Sequence, residues 1–176
     1  MSPATIFNVQ LILGYAAWLF CFRTYLWPRL QRLDPIDAHR AIAALHSFRF
    51  FGLVFILPGV VGPGLPSGFG PFAAYGDLAT GVLALLALVS IGARPLFWFF
   101  VAAFNLVGTA DLVIDYYHGI ILGLPKVAGQ LGAAYAIVML YVPLLLITHV
   151  AAFYLLLKSG RRASAARITG DQRAFS

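Results

Sequence analysis

The apolar stretch from Pro95 to His118 contains the side chains best suited to chemistry in this sequence. Asn105, Asp111 and Asp115 lie in it among phenylalanines, valines and leucines, and His118 ends it. A carboxylate inside hydrocarbon costs about 2.5–3.5 kcal/mol on insertion scales, so these groups must face polar partners or water rather than lipid. The i, i+4, i+7 spacing of Asp111, Asp115 and His118 places all three on one face of a helix.

Arg49 is the predicted partner of these carboxylates. At about 1.5 Å of rise per residue along the predicted spans, Arg49, Asn105 and Asp111 fall near the middle of the membrane, and Asp77 lies somewhat closer to the outer side. An unpaired arginine at that depth is very costly, so we predict an Arg49–Asp111 pair whose hydrogen bonds are completed by Asn105 and Asp77. Such a cluster either fixes the register of the helices or binds a lipid headgroup, an ion, a proton or a small solute. The candidate ligand-binding residues are Arg49, Asp77, Asn105, Asp111 and Asp115.

Two histidines form a second candidate site. His46 and His149 are predicted at roughly 9 and 13 Å from the inner edge of the membrane, on different spans. At matched depth they could be the axial ligands of a b-type haem or contact a quinone, but a histidine pair in a helical bundle also forms simple interhelical hydrogen bonds. We therefore predict no resident cofactor and keep haem b at these two residues as the alternative.

Other chemistry finds little support in the sequence. The single cysteine, Cys21, excludes an intramolecular disulfide and a thiolate metal cluster. Asp111, Asp115 and His118 match no fixed ligand spacing, so no metal site is predicted. Motifs for a nucleophile–base pair, a phosphate-binding loop or a zinc-protease helix are absent from the sequence, which favours a role other than catalysis.

The composition is that of a polytopic membrane protein. Of the 176 residues, 61% are apolar and 10% are charged, whereas a soluble domain is typically about 45–50% apolar and about 25% charged. The net charge of +6 would suggest nucleic-acid binding on a soluble domain, but the basic residues here lie between apolar stretches. We therefore predict no nucleic-acid partner, and attribute the charge to membrane topology.

Five stretches are long enough to cross about 30 Å of hydrocarbon. They run from about Thr5 to Trp27, closed by Pro28; from Ala38 to Leu57, entered through an aspartate cap in Asp34-Pro35-Ile36-Asp37; from Phe72 to Ile91; from Pro95 to His118; and from Gly132 to Leu157, with a kink expected at Pro143. The predicted fold is therefore an all-α transmembrane bundle over residues 1–158, followed by a flexible basic cytoplasmic tail over residues 159–176.

The positions of the basic residues predict the orientation. In a five-span arrangement, the connections on the outer side contain a single basic residue, Lys126. The other basic residues outside the spans lie in the connections and the tail on the opposite side. Positive residues accumulate on the cytoplasmic side, so the N-terminus is predicted outside and the C-terminus inside. The predicted location is the inner (cytoplasmic) membrane.

Several short motifs, taken in order, resemble a widespread set of small, uncharacterised bacterial integral membrane proteins. The motifs are His46-Ser47-Phe48-Arg49, Leu65-Pro66, Tyr75-Gly76-Asp77 with Gly81, Phe104-Asn105 through Gly108 to Asp111-Leu112, and Val142-Pro143 with His149. That set has glutamine at the position of His46 and tryptophan at the position of Phe104. The resemblance implies a helical bundle in a bacterial cell membrane and brings no activity with it. A glutamine at the position of His46 also weakens the haem alternative.

Three functions follow as hypotheses. The first is a non-catalytic membrane module held together by the buried polar cluster. The second is a carrier or receptor for a small solute, a lipid headgroup or a proton, using Arg49, Asp77, Asn105 and Asp111. The third is a redox protein using His46 and His149. The expected partners are membrane lipid and either further copies of the chain or a larger membrane complex.

Overall fold

A computed structural model describes the backbone of residues 1–174 and the side chains of residues 1–160. Every regular element in that part of the chain is helical. The α-helices are α1 (Pro3–Cys21), α2 (Trp27–Arg32), α3 (Pro35–His46), α4 (Phe69–Val89), α5 (Arg94–Ile121) and α6 (Val142–Ala174). Two 3₁₀ helices cover Ser47–Ile56 and Leu124–Ala134, and two π-helical turns cover Phe22–Leu26 and Ile137–Tyr141.

Four helical segments are long and apolar enough to cross a membrane. They are Pro3–Arg32, Phe69–Val89, Arg94–Ile121 and Ile137–Gly160. Many leucine, isoleucine, valine and phenylalanine side chains on them are exposed, as expected for surfaces that contact lipid. The second predicted span is present as α3 followed without a break by the Ser47–Ile56 3₁₀ helix, and it is not one of these four.

Pro28 and Pro143 each follow a π-helical turn. The expectation that Pro28 ends the first span is wrong, because the turn Phe22–Leu26 shifts the hydrogen-bond register and the helix continues through α2. A proline clashes with the carbonyl four residues earlier, and the wider turn relieves that clash. Pro143 likewise follows the turn Ile137–Tyr141, and the indole of Trp18 donates a 2.7 Å hydrogen bond to the carbonyl of Leu140 in that turn.

The predicted aspartate cap is confirmed at the start of α3. Asp34 has extended backbone, and its side chain accepts hydrogen bonds from the N–H groups of Ile36 (2.8 Å) and Asp37 (3.2 Å). These backbone N–H groups, that of Asp37 above all, lower the pKa of Asp34 below its ordinary value, since they stabilise the charged form. Its carboxylate therefore caps α3 at neutral pH.

The start of the fifth predicted span lies later than expected. Gly132 is not a helix start but a break, with φ 54° and ψ −132°, and its α-carbon packs closely against the carbonyl of Val60. Gln130 beside it binds the long loop between the Ser47–Ile56 3₁₀ helix and α4, accepting at its backbone carbonyl from Gly62 N–H (2.7 Å) and at its side chain from Gly64 N–H (3.0 Å). The apolar helix itself begins at Ile137.

A polar layer separates two apolar clusters in the interior. On α4, Ala73 and Ala74 belong to one cluster and Ala84 and Ala87 to the other, with Asp77 between them. The predicted basic tail begins inside α6, which extends to Ala174. The side chains after Gly160 lie outside the described residues, so the flexibility of the tail stays a prediction.

Candidate functional site

Arg49 lies at the centre of the polar layer and is completely buried. It belongs to the Ser47–Ile56 3₁₀ helix, and its Nε donates to Asp77 Oδ1 on α4 at 2.6 Å. Its Nη2 donates to Asp111 Oδ2 on α5 in a short ion pair, and its Nη1 donates to the carbonyl of Gly108 at 3.2 Å. The predicted pairing of Arg49 with Asp111 is thus confirmed, and Asp77 is a second direct partner. Arg49, Asp77 and Asp111 are called the Arg49 cluster below.

Glycines make the space for each charged side chain of the cluster. A methyl group on Gly52 would overlap the carboxylate of Asp77, and one on Gly76 would overlap that of Asp111. A methyl group on Gly108 would lie 2.6 Å from Arg49 Nη1. Each of the three helices therefore supplies one charge and one glycine, and each charge lies over the glycine of a neighbouring helix.

A chain of hydrogen bonds continues from Arg49 into α6. Arg49 Nη1 lies 3.4 Å from His149 Nε2, and His149 Nδ1 lies 2.9 Å from Asn105 Oδ1. Asn105 Nδ2 donates to the carbonyl of Val101 at 2.7 Å, so its Oδ1 accepts from His149. This network assigns the proton of a neutral His149 to Nδ1, leaving Nε2 to accept from the guanidinium.

His46 lies against His149 with its own partner. The two ring centroids are 4.0 Å apart, and His46 Nε2 lies 3.0 Å from Thr148 Oγ1. The Thr148 hydroxyl donates to a carbonyl of its own helix, at Leu144 or Leu145, so it accepts from His46. Two rings this close leave no space for a porphyrin between them, and the Nε2 atom of each is engaged. The haem alternative does not fit this arrangement.

A cavity of about 220 Å³ adjoins the cluster. Its polar lining comprises Asp77, Asp115, Tyr116 and Asn8, and its remaining walls are mainly apolar. Asp115 is half-buried, and its Oδ1 makes no hydrogen bond within the described residues. The hydroxyl of Tyr116 is 2.6 Å from that of Tyr15 on α1. The cavity thus opens from the carboxylate side of Arg49 and not from the histidine side.

Comparison with known proteins identifies a family for this chain. The model of a domain of unknown function (DUF8737) matches residues 6–157. The chain belongs to this family. No curated protein and no solved structure matches the chain. The matched part of the DUF8737 domain contains every residue of the Arg49 cluster and both histidines.

Within the DUF8737 domain, the predicted site residues separate into two groups. Asp77 and Asp111 bind Arg49, and Asp115 lies in the adjoining cavity. The expectation that Asn105 completes the hydrogen bonds of Arg49 is wrong, because Asn105 binds His149 and the Val101 carbonyl instead. Asn105 therefore acts on Arg49 indirectly, through its hydrogen bond to the imidazole of His149.

Sequence reasoning missed several participants in the DUF8737 domain. The sequence predicts His149 as a candidate haem ligand and not as a neighbour of Arg49, and it gives no signal for Thr148. The three glycines were visible in the sequence, since each lies within three residues of a charge, but their pairing across helices was not. His39 on α3 is completely buried against Trp98, with ring centroids 5.2 Å apart. Among the described residues, no group of three or more His, Cys, Asp and Glu side chains could hold a metal ion.

Proposed function

We propose that this protein is a non-catalytic, five-span module of the bacterial cytoplasmic membrane, with its N-terminus outside and its C-terminus inside. The span added to the four apolar helices is α3 together with the Ser47–Ile56 3₁₀ helix, and the combined length of these two helices supports it. The 12 residues of α3 reach about 18 Å at 1.5 Å per residue. The 10 residues of the following 3₁₀ helix reach about 20 Å at 2.0 Å per residue. Together they exceed the hydrocarbon thickness of about 30 Å.

The orientation follows the positive residues. With five spans, three groups of basic residues fall on one side: Arg29, Arg32 and Arg40 around the junction of α2 and α3, Arg94 at the start of α5, and the basic residues from Lys158 onward. Lys126 falls on the other side. Fusing a periplasm-sensitive and a cytoplasm-sensitive reporter to each terminus tests this. Termini on the same side of the membrane would refute the five-span proposal.

The observation that carries the proposal is the complete burial of Arg49 between carboxylates of two other helices. A buried charge is tolerated when it is paired and hydrogen-bonded, and removing one partner leaves the others uncompensated. The cluster therefore holds the Ser47–Ile56 helix, α4 and α5 in one register. Its three charges face one another, so they serve to hold helices rather than to transform a substrate.

Replacing the arginine tests this role. Arg49→Met leaves two buried carboxylates and should lower the free energy of unfolding in detergent by about 3–5 kcal/mol. Replacing Asp77 and Asp111 by asparagine in the same chain removes those charges and should restore part of the loss. Arg40→Met is the matched control, because Arg40 pairs with Asp37 at 2.9 Å with both side chains about half exposed, where a pair contributes roughly 0–1 kcal/mol.

The outcomes distinguish a structural role of the Arg49 cluster from a ligand-binding role. If Arg49→Met unfolds no more easily than Arg40→Met, the cluster does not hold the helices and the proposal is wrong. A neutral triple variant that folds well is the result expected of a structural cluster. Native mass spectrometry of the wild-type protein would also reveal retained lipid, further copies or a partner subunit. A partner is consistent with α1, whose side chains other than Phe7 are not fully buried.

The second candidate function is a carrier or receptor for a small solute, a lipid headgroup or a proton. The cavity beside the cluster favours it. Asp77 and Asp115 both line this cavity, and intramembrane carboxylates that face a cavity commonly mark ligand or proton pathways.

A further inference from the structure

The carboxylate side of the Arg49 cluster has more negative groups than the arginine can neutralise. Asp77, Asp111 and Asp115 bring three carboxyl groups to one guanidinium. Asp111 Oδ1 and Asp115 Oδ1 are buried and have no hydrogen-bond partner within the described part of the chain. A buried polar atom without a partner costs about 1–3 kcal/mol, so these oxygens favour an additional donor or cation.

For Asp115 the cavity offers that additional group a defined place, whereas Asp111 is not among the lining residues. Asp77, nine-tenths buried, and Asp115 both line it, together with the polar side chains of Asn8 and Tyr116. Among the described lining residues none is basic. A cation that enters the cavity therefore meets carboxylates without competition from a lysine or an arginine in its wall.

The rest of the cavity wall selects for an apolar body. Phe7, Phe55, Phe69, Leu112 and Leu124 contribute to it. Engineered apolar cavities of about 150 Å³ bind benzene, so a volume of about 220 Å³ has room for a ring or short chain with a polar end. The carboxylates disfavour an anionic ligand through like-charge repulsion.

We propose that this cavity binds a protonated primary amine carried on an apolar body of about six to eight carbon atoms. The ammonium group donates to Asp115 and Asp77, and the hydrocarbon contacts the aromatic and aliphatic wall. This site rests on the carrier or receptor candidate and is independent of the structural role of Arg49. The ammonium can belong to a free amine or to the headgroup of phosphatidylethanolamine.

Binding of n-hexylamine to the full chain in detergent, followed by calorimetry, tests the proposal. n-Hexanol and hexanoate have the same chain length with a neutral and an anionic end, and both should bind at least tenfold more weakly. Asp115→Asn should weaken hexylamine binding at least tenfold, whereas Asp37→Asn, which changes an exposed aspartate on α3, should leave it unchanged. Asp77→Asn is not used, because it also breaks the contact with Arg49.

Two results would contradict amine binding in this cavity. Hexanol binding as tightly as hexylamine, or Asp115→Asn binding hexylamine like the wild type, would overturn the amine site. If Asp115→Asn fails to fold, the three probes on the wild-type protein still decide. Nanodiscs of phosphatidylethanolamine or phosphatidylglycerol distinguish a lipid headgroup from a free amine. If the protein selectively retains phosphatidylethanolamine and hexylamine displaces it, the ligand is the headgroup. If hexylamine binds without such retention, the ligand is a free amine. None of these results alters the unfolding of Arg49→Met, so this proposal can fail while the structural one stands.

Discussion

The two sides of Arg49 differ in how well hydrogen-bond donors and acceptors are matched and in how tightly the side chains pack. On the histidine side, donors and acceptors match one to one along the chain from the guanidinium through His149 and Asn105 to the carbonyl of Val101. Beside that chain, Nδ1 of His46 is the histidine-side atom without a partner among the described residues. On the carboxylate side, acceptors outnumber donors, and Asp111 Oδ1 has no partner among the described residues. The histidine side is tightly packed, whereas the carboxylate side opens to the cavity of about 220 Å³.

The contrast indicates which side of Arg49 is rigid and which side can bind a ligand. A matched chain of buried hydrogen bonds gains nothing from a ligand, and any change in it leaves a group unpaired. A side with surplus acceptors and free volume can accept a donor from outside. The same arginine thus borders a closed structural network and an open acceptor site.

Of the changes that distinguish the two sides of Arg49, Gly108→Ala on the histidine side should destabilise the protein most. A methyl group there would lie 2.6 Å from Arg49 Nη1, His149 Nε2 and Thr80 Cγ2. Gly108→Ala should therefore lower the free energy of unfolding by about 3 kcal/mol, the upper part of the range for overpacked cores. Unfolding in mixed micelles of mild detergent and SDS measures it.

The control for this change is Gly92→Ala. Gly92 is exposed, lies between α4 and α5, and a methyl group on it would meet no atom within 4 Å. Its effect should stay within about 0.5 kcal/mol. Equal effects at the two glycines would mean that the space at Gly108 is not needed by the network.

A smaller effect is expected at Asn105. Asn105→Ala removes the acceptor of His149 Nδ1–H and leaves a buried donor unpaired, which should cost about 1–2 kcal/mol. The imidazole should also lose its fixed tautomer, which ¹⁵N chemical shifts of His149 report directly. Asn8→Ala, at an exposed position on α1, is the control. A His149 tautomer unchanged in Asn105→Ala would contradict the matched chain.

Depth along a helix could be predicted from the sequence, and direction around it could not. A regular rise per residue brought Arg49 and Asp111 to one level, and the structure joins them. Asn105 has a similar depth, but it is six residues from Asp111, about 240° around α5. It therefore faces α6 and binds His149 instead of Arg49. Depth alone could not separate these two directions.

Local backbone changes were also invisible to a count of apolar residues. The helix changes from α to 3₁₀ at Ser47, two residues before Arg49, and π-helical turns precede both Pro28 and Pro143. Aspartate and proline at the start of α3 have strong local preferences, so its cap was predictable. The glycine under each charged side chain acts between helices, and a single sequence does not state which helices are neighbours.

The smallest effect is expected on the carboxylate side, at Asp115. Its Oδ1 has no hydrogen-bond partner in the described residues, and neighbouring carboxylates repel its charge, so its removal deprives no group of a needed acceptor. Asp115→Asn should therefore lower the free energy of unfolding by less than about 0.5 kcal/mol, if at all, measured in the same mixed micelles as Asn105→Ala. A loss as large as that of Asn105→Ala would mean that Asp115 is a matched member of the structural network. The two sides of Arg49 would then be alike, and the cavity would have no spare acceptor to offer an amine.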